Sequence, residues 1–358
     1  MLALQQLGIG IIGCGGMGRA HAENLLTVRD ARLIAISDPD EQACRRLAGI
    51  HDVPNCYSNY HDLLARSDID AVIITVPNAY HKAVALAALS AGKHVLLEKP
   101  LAHNVDDGME IVRAAERSDT LIMLGFNNRF TPPARALHSA IAGGRLGTVY
   151  YAKTRWLRRL GLPPRASWFS VRAMSGGGPL IDIGVHMLDL ALHMMGYPPP
   201  ISAFGVTYAQ FGPERAQQPP TLPSGPTDVF DVEDFAAGMV TLANGATVQI
   251  ETSWASFIGD GQDLSLEILG SAGGARLTNA DEDSLSIFTI LDGEQVDIKP
   301  RLSEEDGHQE ELRAFLTAIK TGSPPPVRVQ DGLQVLAIIE ALYASARSGE
   351  AVPVRRTQ

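Results

Sequence analysis

The chain has 358 residues with a formal net charge of −10, and its 45% hydrophobic and 20% charged residues are typical of a globular protein. The length exceeds what one ordinary core supports, so we expect two domains. The negative charge argues against a nucleic-acid partner, and the lack of any apolar run near the roughly 18 residues of a membrane span argues against a membrane protein.

The first predicted elements are a strand, a glycine-rich loop, a helix and a second strand. The apolar run of residues 7–12 predicts a buried strand. It leads directly into a G-x-G-x-x-G motif, Gly13-Cys14-Gly15-Gly16-Met17-Gly18. Apolar residues at helical spacing follow, and a second apolar run ends at Asp38. This order, closed by an acid, is typical of a dinucleotide-binding fold.

Each part of this stretch has a physical reason. Gly13 permits the tight turn, and Gly18 lets helix and sheet pack closely. Residues 15–17 offer an open backbone and the free N–H groups of a helix start, which favour a pyrophosphate. Asp38 can accept hydrogen bonds from both hydroxyls of the adenosine ribose and would repel a 2′-phosphate. The sequence therefore predicts NAD, with NADP less favoured.

Strands and helices continue to alternate up to residue 124. Predicted strands cover residues 55–57, 71–76, 94–97 and 121–124, and predicted helices cover residues 41–48, 60–66, 79–91 and 105–117. Alternation with helices of this length predicts an α/β fold with a doubly wound parallel sheet. We therefore predict a Rossmann NAD-binding domain at residues 1–127.

Strands without intervening helices dominate the second half of the chain. Predicted strands cover residues 149–156, 201–209, 235–242, 247–256, 264–269, 284–291 and 294–298, and predicted helices cover residues 131–142, 180–195, 304–320 and 331–348. Asn244-Gly245 predicts a hairpin, and residues 211–227 read as a loop. Residues 128–358 are thus an α+β domain with a mostly antiparallel sheet, and the last helix is a candidate to pack back on the first domain.

Polar side chains follow two of the predicted parallel strands, at the edge where such sheets bind ligands. One set is Pro77-Asn78-Ala79-Tyr80-His81 and the other is Glu98-Lys99-Pro100. Pro100 disfavours helical geometry at Lys99, and a positive nicotinamide ring would destabilise its ammonium form. Lys99 could then exchange a proton with a reacting hydroxyl. The alternative is a surface lysine in a turn.

A glycine triplet, Gly176-Gly177-Gly178, precedes a predicted helix that carries Asp182 and His186. These two residues are four apart and share a helix face, so the carboxylate could orient the imidazole. Histidine is a natural base for removing a hydroxyl proton as hydride leaves. One alternative is a core histidine. Another is a metal site with Asp189 and His193, although no H-E-x-x-H motif is present and we predict no metal.

Arginines and tryptophans cluster just before the glycine triplet. The cluster runs from Arg155-Trp156-Leu157-Arg158-Arg159 to Trp168-Phe169. Aromatic faces stack on sugar rings, and arginines bind carboxylates or phosphates. The alternative is a solvated arginine loop with two tryptophans in the core.

The three cysteines indicate the cellular compartment. Cys14, Cys44 and Cys56 have no metal-ligand spacing, and their odd number favours reduced thiols in a cytosolic protein. No basic segment precedes the first apolar run, so we predict no signal peptide and a cytoplasmic location.

Taken together, these motifs resemble the Gfo/Idh/MocA family, the glucose–fructose oxidoreductase and inositol dehydrogenase group, over nearly the whole chain. The residues that carry the resemblance are the Gly13–Gly18 loop, Ser37-Asp38-Pro39, Thr75-Val76-Pro77-Asn78 with His81, Glu98-Lys99-Pro100, Asn128-Arg129-Phe130 and residues 177–189. The resemblance implies a Rossmann domain followed by an α/β domain with a large open sheet. The outer face of that sheet would form the contacts of a homodimer or homotetramer.

The resemblance also implies roles for individual residues. Lys99, Asp182 and His186 would be catalytic. The cofactor would contact Gly13, Gly15, Gly16, Met17, Gly18, Asp38, Thr75, Pro77, Asn78, His81, Glu98, Lys99 and Asn127. The substrate would contact Lys99, Arg129, Asp182 and His186. The insert from Trp156 to Trp168 is variable across such proteins and cannot be carried over from them, so the substrate contacts of Trp156 and Trp168 are predicted from their aromatic faces alone.

Family members mostly exchange hydride between a nicotinamide and a secondary alcohol or ketone of a sugar, inositol or polyol. The resemblance therefore implies an NAD-dependent dehydrogenase with such a small-molecule substrate. Two alternatives are a glycoside hydrolase that uses NAD for transient oxidation and a non-catalytic NAD-binding sensor.

Overall fold

A computed structural model describes residues 6–164, 167–217, 229–279 and 284–357. Contacts divide the chain into two compact units, residues 1–130 with 305–333 and residues 131–304 with 334–358. The predicted boundary after residue 127 stays a prediction, because compactness does not show which segments fold independently. Within the described ranges, no helix has both the length and the apolar character needed to cross a bilayer.

The strands, in chain order, are β1 (Leu7–Ile12), β2 (Ala31–Ser37), β3 (Asn55–Tyr57), β4 (Ala71–Ile74), β5 (His94–Glu98), β6 (Ile122–Gly125), β7 (Val149–Arg158), β8 (Pro200–Tyr208), β9 (Phe235–Leu242), β10 (Thr247–Ser253), β11 (Gln262–Gly270), β12 (Gly273–Thr278), β13 (Leu285–Leu291), β14 (Glu294–Ile298) and β15 (Val352–Pro353).

The helices are α1 (Gly16–Leu25), α2 (Glu41–Ile50), α3 (Tyr60–Leu64), α4 (His81–Ser90), α5 (Val105–Ala115), α6 (Pro132–Ala142), α7 (Arg172–Ser175), α8 (Val185–Met194), α9 (Gly212–Gln217), α10 (Gly307–Thr321) and α11 (Val329–Ser348). Short 3-10 turns cover Asn78–Tyr80, Asn127–Phe130 and Trp168–Ser170, and a π turn covers Leu180–Gly184.

Six parallel strands form the sheet of the first unit, in the order β3-β2-β1-β4-β5-β6. Its central strands are continuous apolar runs, as a sheet covered on both faces requires, and Ile11, Ile73 and Leu96 are fully buried. The predicted doubly wound parallel sheet is confirmed. Strand order reverses between β1 and β4, and in such sheets ligands bind at the carboxyl ends beside that point.

Nine strands form the sheet of the second unit, in the order β14-β13-β12-β11-β7-β10-β9-β8-β15. Strands β7 and β10 run parallel and the other neighbours run antiparallel, so the predicted mostly antiparallel sheet is confirmed. Its inner face carries buried Ala152, Val248 and Ile250 and packs against α8. The hairpin predicted at Asn244-Gly245 joins β9 to β10.

The structure differs from the predicted elements in several places, including the following three. Strand β12 was not predicted, because it opens with Gly273-Gly274 and glycine is depleted in strands. The predicted helix at residues 79–91 is a 3-10 turn followed by α4. The predicted loop at residues 211–227 contains α9, and its residues 218–227 lie outside the described ranges.

The prediction of three reduced cysteines is wrong for two of them. Cys44 on α2 is buried against β3, where Cys56 lies, and the structure joins them in a disulfide with Cα atoms 6.0 Å apart. The sequence could not show this pairing, because it depends on how α2 packs beside β3. Cys14 is free and buried.

Candidate active site

The glycine loop after β1 has the geometry that a diphosphate requires. Gly13 has a φ of +106°, and a Cβ there would lie 2.7 Å from the backbone of Thr75. A Cβ on Gly18 would lie 2.0 Å from the carbonyl oxygen of Gly13. By contrast, a Cβ on Gly15 or Gly16 would meet no heavy atom within 4 Å. The loop is therefore closed on its protein side and open beside the N-terminus of α1, which favours an anion.

Asp38 directly follows β2 and contacts this loop. Its Oδ2 accepts the Cys14 N–H at 2.7 Å, and its Oδ1 accepts the Asp40 N–H at 2.8 Å. The carboxylate is thus fixed at the end of β2, where a ribose-binding acid is expected. Burial, followed by the charges of Asp38 and Asp40, raises the pKa of the Cys14 thiol to about 12. Cys14 therefore stays protonated and is a packing residue rather than a nucleophile.

The end of β4 is tied to the same loop. The Thr75 hydroxyl donates to the Gly13 carbonyl oxygen at 2.7 Å. Pro77 precedes the 3-10 turn that begins at the buried Asn78. The predicted cofactor contacts at Thr75, Pro77 and Asn78 therefore belong to one connected edge of the sheet.

His81, at the start of α4, joins two backbone segments. Its Nδ1 lies 2.7 Å from the Pro100 carbonyl oxygen, and its Nε2 lies 2.9 Å from that of Val76. Burial lowers the pKa of His81 despite these carbonyls, which favours the neutral ring. With both ring nitrogens facing the main chain, His81 positions the turns after β4 and β5. Its predicted contact with the cofactor stays a prediction.

Glu98 ends β5 and is held by His21 of α1. Glu98 Oε1 lies 2.7 Å from His21 Nε2, and Glu98 Oε2 accepts the Lys99 N–H at 3.2 Å. Burial alone would raise the pKa of Glu98, but the hydrogen bond and charge of His21 lower it. Lys99 is half-buried and its peptide bond to Pro100 is cis. The His21–Glu98 pair thus fixes the backbone from which Lys99 extends.

The structure adds Glu311 of α10 to this pair. His21, Glu98 and Glu311 are buried, and each has a ligand atom within 4.8 Å of the others. The 2.7 Å contact between His21 and Glu98 is a direct hydrogen bond, whereas two ligands of one ion stand farther apart. This contact favours a hydrogen-bonded His21–Glu98 pair, with Glu311 buried beside it, over two ligands of one ion.

Two predicted ligands lie in the 3-10 turn after β6. The Asn127 side-chain nitrogen lies 3.4 Å from Nδ1 of His308. Arg129 is buried, and its guanidinium donates to Asp331 Oδ2 at 3.2 Å. Arg328 binds the other oxygen of Asp331. A partnered buried guanidinium favours a structural role, and the substrate contact of Arg129 stays a prediction.

In the second unit, the glycine triplet leads into the helix that carries Asp182 and His186. The helix begins as a π turn, so the predicted single α-helix at residues 180–195 is corrected. The turn lies close to β10, since a Cβ on Gly184 would be 2.9 Å from the Thr252 side chain. Such π turns occur frequently at functional sites.

Tryptophans flank both residues of this helix. Trp254 is buried, and its Nε1 donates to Asp182 Oδ2 at 3.0 Å. The ring of Trp156 lies 5.9 Å from that of the buried His186. Trp156 was predicted beside the substrate, but Trp254 was missed. In the sequence, Trp254 lies inside the predicted strand at residues 247–256, which gives no sign that it contacts Asp182.

The remaining residues of the arginine and tryptophan cluster divide between the two faces of the sheet. On the inner face, partly buried apolar side chains surround a small buried core. The core is Ile183, Val232 and Trp254, and the surrounding side chains are Trp156, Leu162, Phe169 and Phe230. Trp168 stacks on Phe169 with ring centroids 3.9 Å apart. Arg155 points to the opposite face and pairs with Glu251 and Asp263. Arg158 lies over the Trp156 ring, with its Cζ 5.7 Å from the ring centroid.

The metal alternative at this helix has no support in its geometry. Asp189 accepts a hydrogen bond from the Tyr197 hydroxyl. His193 stacks on His138, with ring centroids 4.5 Å apart and planes 8° apart. Both side chains are therefore engaged with protein groups other than Asp182 and His186.

Comparison with known proteins identifies both parts of the chain. Residues 7–126 match the Gfo/Idh/MocA oxidoreductase family's NAD-binding Rossmann fold, and residues 138–354 match the C-terminal alpha/beta domain of that family. The chain is 29% identical over 353 residues to D-glucoside 3-dehydrogenase of Escherichia coli K12, covering 97% of each protein. It is also 29% identical to myo-inositol 2-dehydrogenase of Thermotoga maritima, covering 96% of each.

A solved structure agrees with these sequence matches. Levoglucosan dehydrogenase in complex with NADH superposes with a TM-score of 0.87 at 25% identity, covering 98% of this chain and 100% of that one.

Proposed function

Because this chain belongs to the Gfo/Idh/MocA family of NAD-binding oxidoreductases, we propose that it oxidises a secondary alcohol of a sugar, inositol or related polyol. The observation that carries the proposal is the helix with Asp182 and His186, each beside a tryptophan. Acid and base groups beside aromatic rings suit a polyol, whose hydroxyls need hydrogen bonds and whose ring faces stack.

NAD fits the residues of the first unit. The open loop at Gly15 and Gly16 leaves room for the pyrophosphate, and Asp38 can bind the adenosine ribose. We propose further cofactor contacts from Thr75, Pro77 and Asn78 and from Lys99 and Asn127. Bound NAD supplies the acceptor for the hydride.

We assign the catalytic roles from the chemistry of each side chain. His186 accepts the hydroxyl proton as the C–H bond breaks, since a neutral imidazole is the usual base at such a step. Lys99 donates a hydrogen bond to the same oxygen and stabilises its developing charge. Asp182, held by Trp254, orients the substrate.

The substrate can carry a negative charge. Trp156 and Arg158 lie on the inner face of the sheet, and the Arg158 guanidinium lies over the Trp156 ring beside His186. A sugar ring stacked on Trp156 would bring a carboxylate or phosphate substituent within reach of this guanidinium. We therefore include sugar acids in the proposed substrate class.

We also propose a homodimer or homotetramer built on the outer face of the large sheet. That face is defined here by the exposed side chains of Phe204, Tyr208, Met239, Leu269, Phe288 and Ile290. Several exposed apolar side chains on one sheet face favour a protein interface. Light scattering of the protein and of a Met239→Glu variant tests this. Dissociation is expected in the variant, whereas a monomeric parent protein would contradict the proposal.

A cytoplasmic location is proposed because a dehydrogenase needs a continuous supply of NAD. The Cys44–Cys56 disulfide instead favours an oxidising compartment, since disulfides are rare in reducing compartments. Cell fractionation distinguishes the two. Recovery of the protein in the cytoplasmic fraction supports the proposal, whereas a periplasmic or secreted protein contradicts it.

A substrate screen tests the proposed function. Purified protein is incubated with NAD or NADP and a panel of inositols, hexoses, glycosides and sugar acids, and NADH and sugar products are followed. Net NADH formation with at least one panel member is expected. Release of free sugar from glycosides without NADH would favour the hydrolase alternative, and NAD binding without turnover would favour a sensor.

A further inference from the structure

Glu233 is buried and lies shortly before β9. Its carboxylate makes four hydrogen-bond contacts. Both of its carboxylate oxygens lie 3.0 Å from the Gly178 N–H nitrogen. Oε1 also accepts the Leu180 N–H at 3.2 Å and the Tyr343 hydroxyl of α11 at 2.7 Å. A carboxylate that accepts from several donors is held far more firmly than one on the surface.

The Leu180 N–H is the first N–H group of the π turn that opens the helix carrying Asp182 and His186, and the Gly178 N–H lies just before Pro179 at the start of that turn. The first N–H groups of a helix have no partner within it, and here Pro179 provides no capping side chain. Glu233 supplies the acceptor from outside, and a negative charge at a helix N-terminus is favourable. The Asp182 N–H in turn donates to the Gly178 carbonyl oxygen at 3.1 Å. Gly178 is therefore hydrogen-bonded both to the Glu233 carboxylate and to the backbone N–H of Asp182.

The glycine triplet is explained by this contact. A Cβ on Gly178 would lie 1.9 Å from the Glu233 carbonyl oxygen, and a Cβ on Gly177 would lie 2.0 Å from the Tyr343 hydroxyl oxygen. Any side chain at either position would push Glu233 or Tyr343 away from the backbone of the glycine triplet. The triplet therefore permits Glu233 and Tyr343 to approach the backbone, rather than serving a ligand.

We propose that Glu233 and Tyr343 are positioning residues for catalysis, which clamp the start of this helix and so fix the placement of Asp182 and His186. The proposal rests on the catalytic roles proposed above. Neither Glu233 nor Tyr343 is assigned a contact with substrate or cofactor. Their effect passes through the backbone of residues 178–182.

The charges around Glu233 are compatible with this role. Burial raises the pKa of Glu233, and the Tyr343 hydroxyl and the Gly178 N–H oppose that rise. Burial, then the charge of Glu233, also raises the pKa of Tyr343, so Tyr343 remains a donor. The Arg172 guanidinium lies 5.6 Å from the centroid of the Tyr343 ring and supplies a nearby positive charge. Asp231 accepts the backbone N–H of Arg172.

Two variants and one matched control test the clamp in the full-length protein. Glu233→Gln replaces one acceptor oxygen by an NH₂ donor that faces backbone N–H groups, and Tyr343→Phe removes one hydrogen bond. The control is Asp234→Asn, since Asp234 is fully buried and also accepts two backbone N–H groups, but from residues 211 and 212. Readouts are kcat, the KM and Kd for NAD, and amide hydrogen exchange at Gly178 and Leu180.

In Glu233→Gln, kcat is expected to fall roughly tenfold or more, the factor for one lost hydrogen bond to a charged group. The Kd for NAD should stay within about twofold, because its proposed ligands lie in the other unit. Exchange at Gly178 and Leu180 should rise in both variants and not in Asp234→Asn. Tyr343→Phe should show a smaller loss of kcat. It tests the proposal by itself if Glu233→Gln does not fold.

Faster exchange with kcat within about twofold of the parent value would overturn the proposal, as would an equal loss of kcat in Asp234→Asn. Failure of the proposed function can be distinguished from failure of the proposed positioning role. In that case the parent protein turns over no polyol, while the exchange measurement still reports whether the clamp exists.

Discussion

The indole Nε1 of Trp254 donates a hydrogen bond to Oδ2 of Asp182 across 3.0 Å. Trp254 is 1% exposed, so this donor lies in the core rather than on a mobile surface loop. A hydrogen bond to an ionised group contributes more than a neutral one, particularly where water is excluded. The orientation of Asp182 is therefore set by packing, and a residue outside the family motif controls a proposed catalytic carboxylate.

Replacing Trp254 by Phe should lower kcat roughly tenfold, because it removes one hydrogen bond to a charged group. The KM for NAD should be unchanged. Since the smaller ring also leaves a cavity, a Trp254→His variant provides the control: its ring is smaller still, but it restores a ring N–H. Steady-state kinetics should then show partial recovery of kcat. Equal activity in the two variants would mean that volume, not the hydrogen bond, matters.

Asp38 should determine the preference for NAD over NADP. Asp38→Asn removes the charge that repels a 2′-phosphate while keeping one acceptor oxygen, so the ratio of kcat/KM for NADP to that for NAD should rise about tenfold. Asp40→Asn is the matched control, because Asp40 is a neighbouring acid that caps α2. An unchanged ratio in Asp38→Asn would remove Asp38 from the ribose site.

The His21–Glu98 pair should make stability depend on pH. Burial would raise the pKa of Glu98, but the hydrogen bond and charge of His21 lower it below its unfolded value. The pair therefore stabilises the fold above the unfolded pKa, about 4.3, and this contribution is lost as the pH falls through the lower folded value.

His21→Asn leaves a buried carboxylate without its partner and should lower the free energy of unfolding by about 3 kcal/mol at pH 7. The difference from the parent protein should shrink at acid pH as Glu98 becomes protonated. His103→Asn is the control, since its partner Asp107 is 3.3 Å away at a more exposed site, where a loss below about 1 kcal/mol is expected. Urea denaturation at several pH values measures the free energy of unfolding of both variants and of the parent protein. If the difference between His21→Asn and the parent protein does not change with pH, the account is contradicted.

Arg158 should favour anionic substrates. In Arg158→Ala, kcat/KM for a sugar acid should fall about tenfold more than kcat/KM for the corresponding neutral sugar. Arg159 is the control, because its guanidinium instead donates to the Gly259 carbonyl oxygen. An equal loss with both sugars would show that Arg158 only supports the Trp156 ring.

Motifs with a fixed local geometry could be predicted from the sequence. The glycine loop and Asp38 depend on backbone conformation and on residues close in the chain. The strands on either side of the loop and the place of Asp38 after β2 are confirmed, and their contacts with the cofactor stay predictions. The surroundings of Arg129 could not be predicted, because its partner Asp331 lies 202 positions away. Likewise, the contact between Trp254 and Asp182 depends on how a helix packs against the large sheet.

The π turn shows a second limit. The spacing of apolar residues at 180–195 is compatible with an uninterrupted α-helix, whereas the structure has a π turn over Leu180–Gly184, where Gly184 approaches β10 closely. Glu233 gives no signal either, because an acid before a strand reads as an ordinary surface residue. Both features depend on contacts across the fold rather than on local pattern.

The transfer of a labelled hydride tests the central claim most directly. A polyol that the screen identifies as a substrate is deuterated at the oxidised carbon, and the cofactor is analysed by mass spectrometry after turnover by the parent protein, Lys99→Met and His186→Ala. We predict one deuterium in the NADH formed by the parent protein, with at least about a hundredfold slower formation in both variants. Unlabelled cofactor, or undiminished transfer in both variants, would contradict the account.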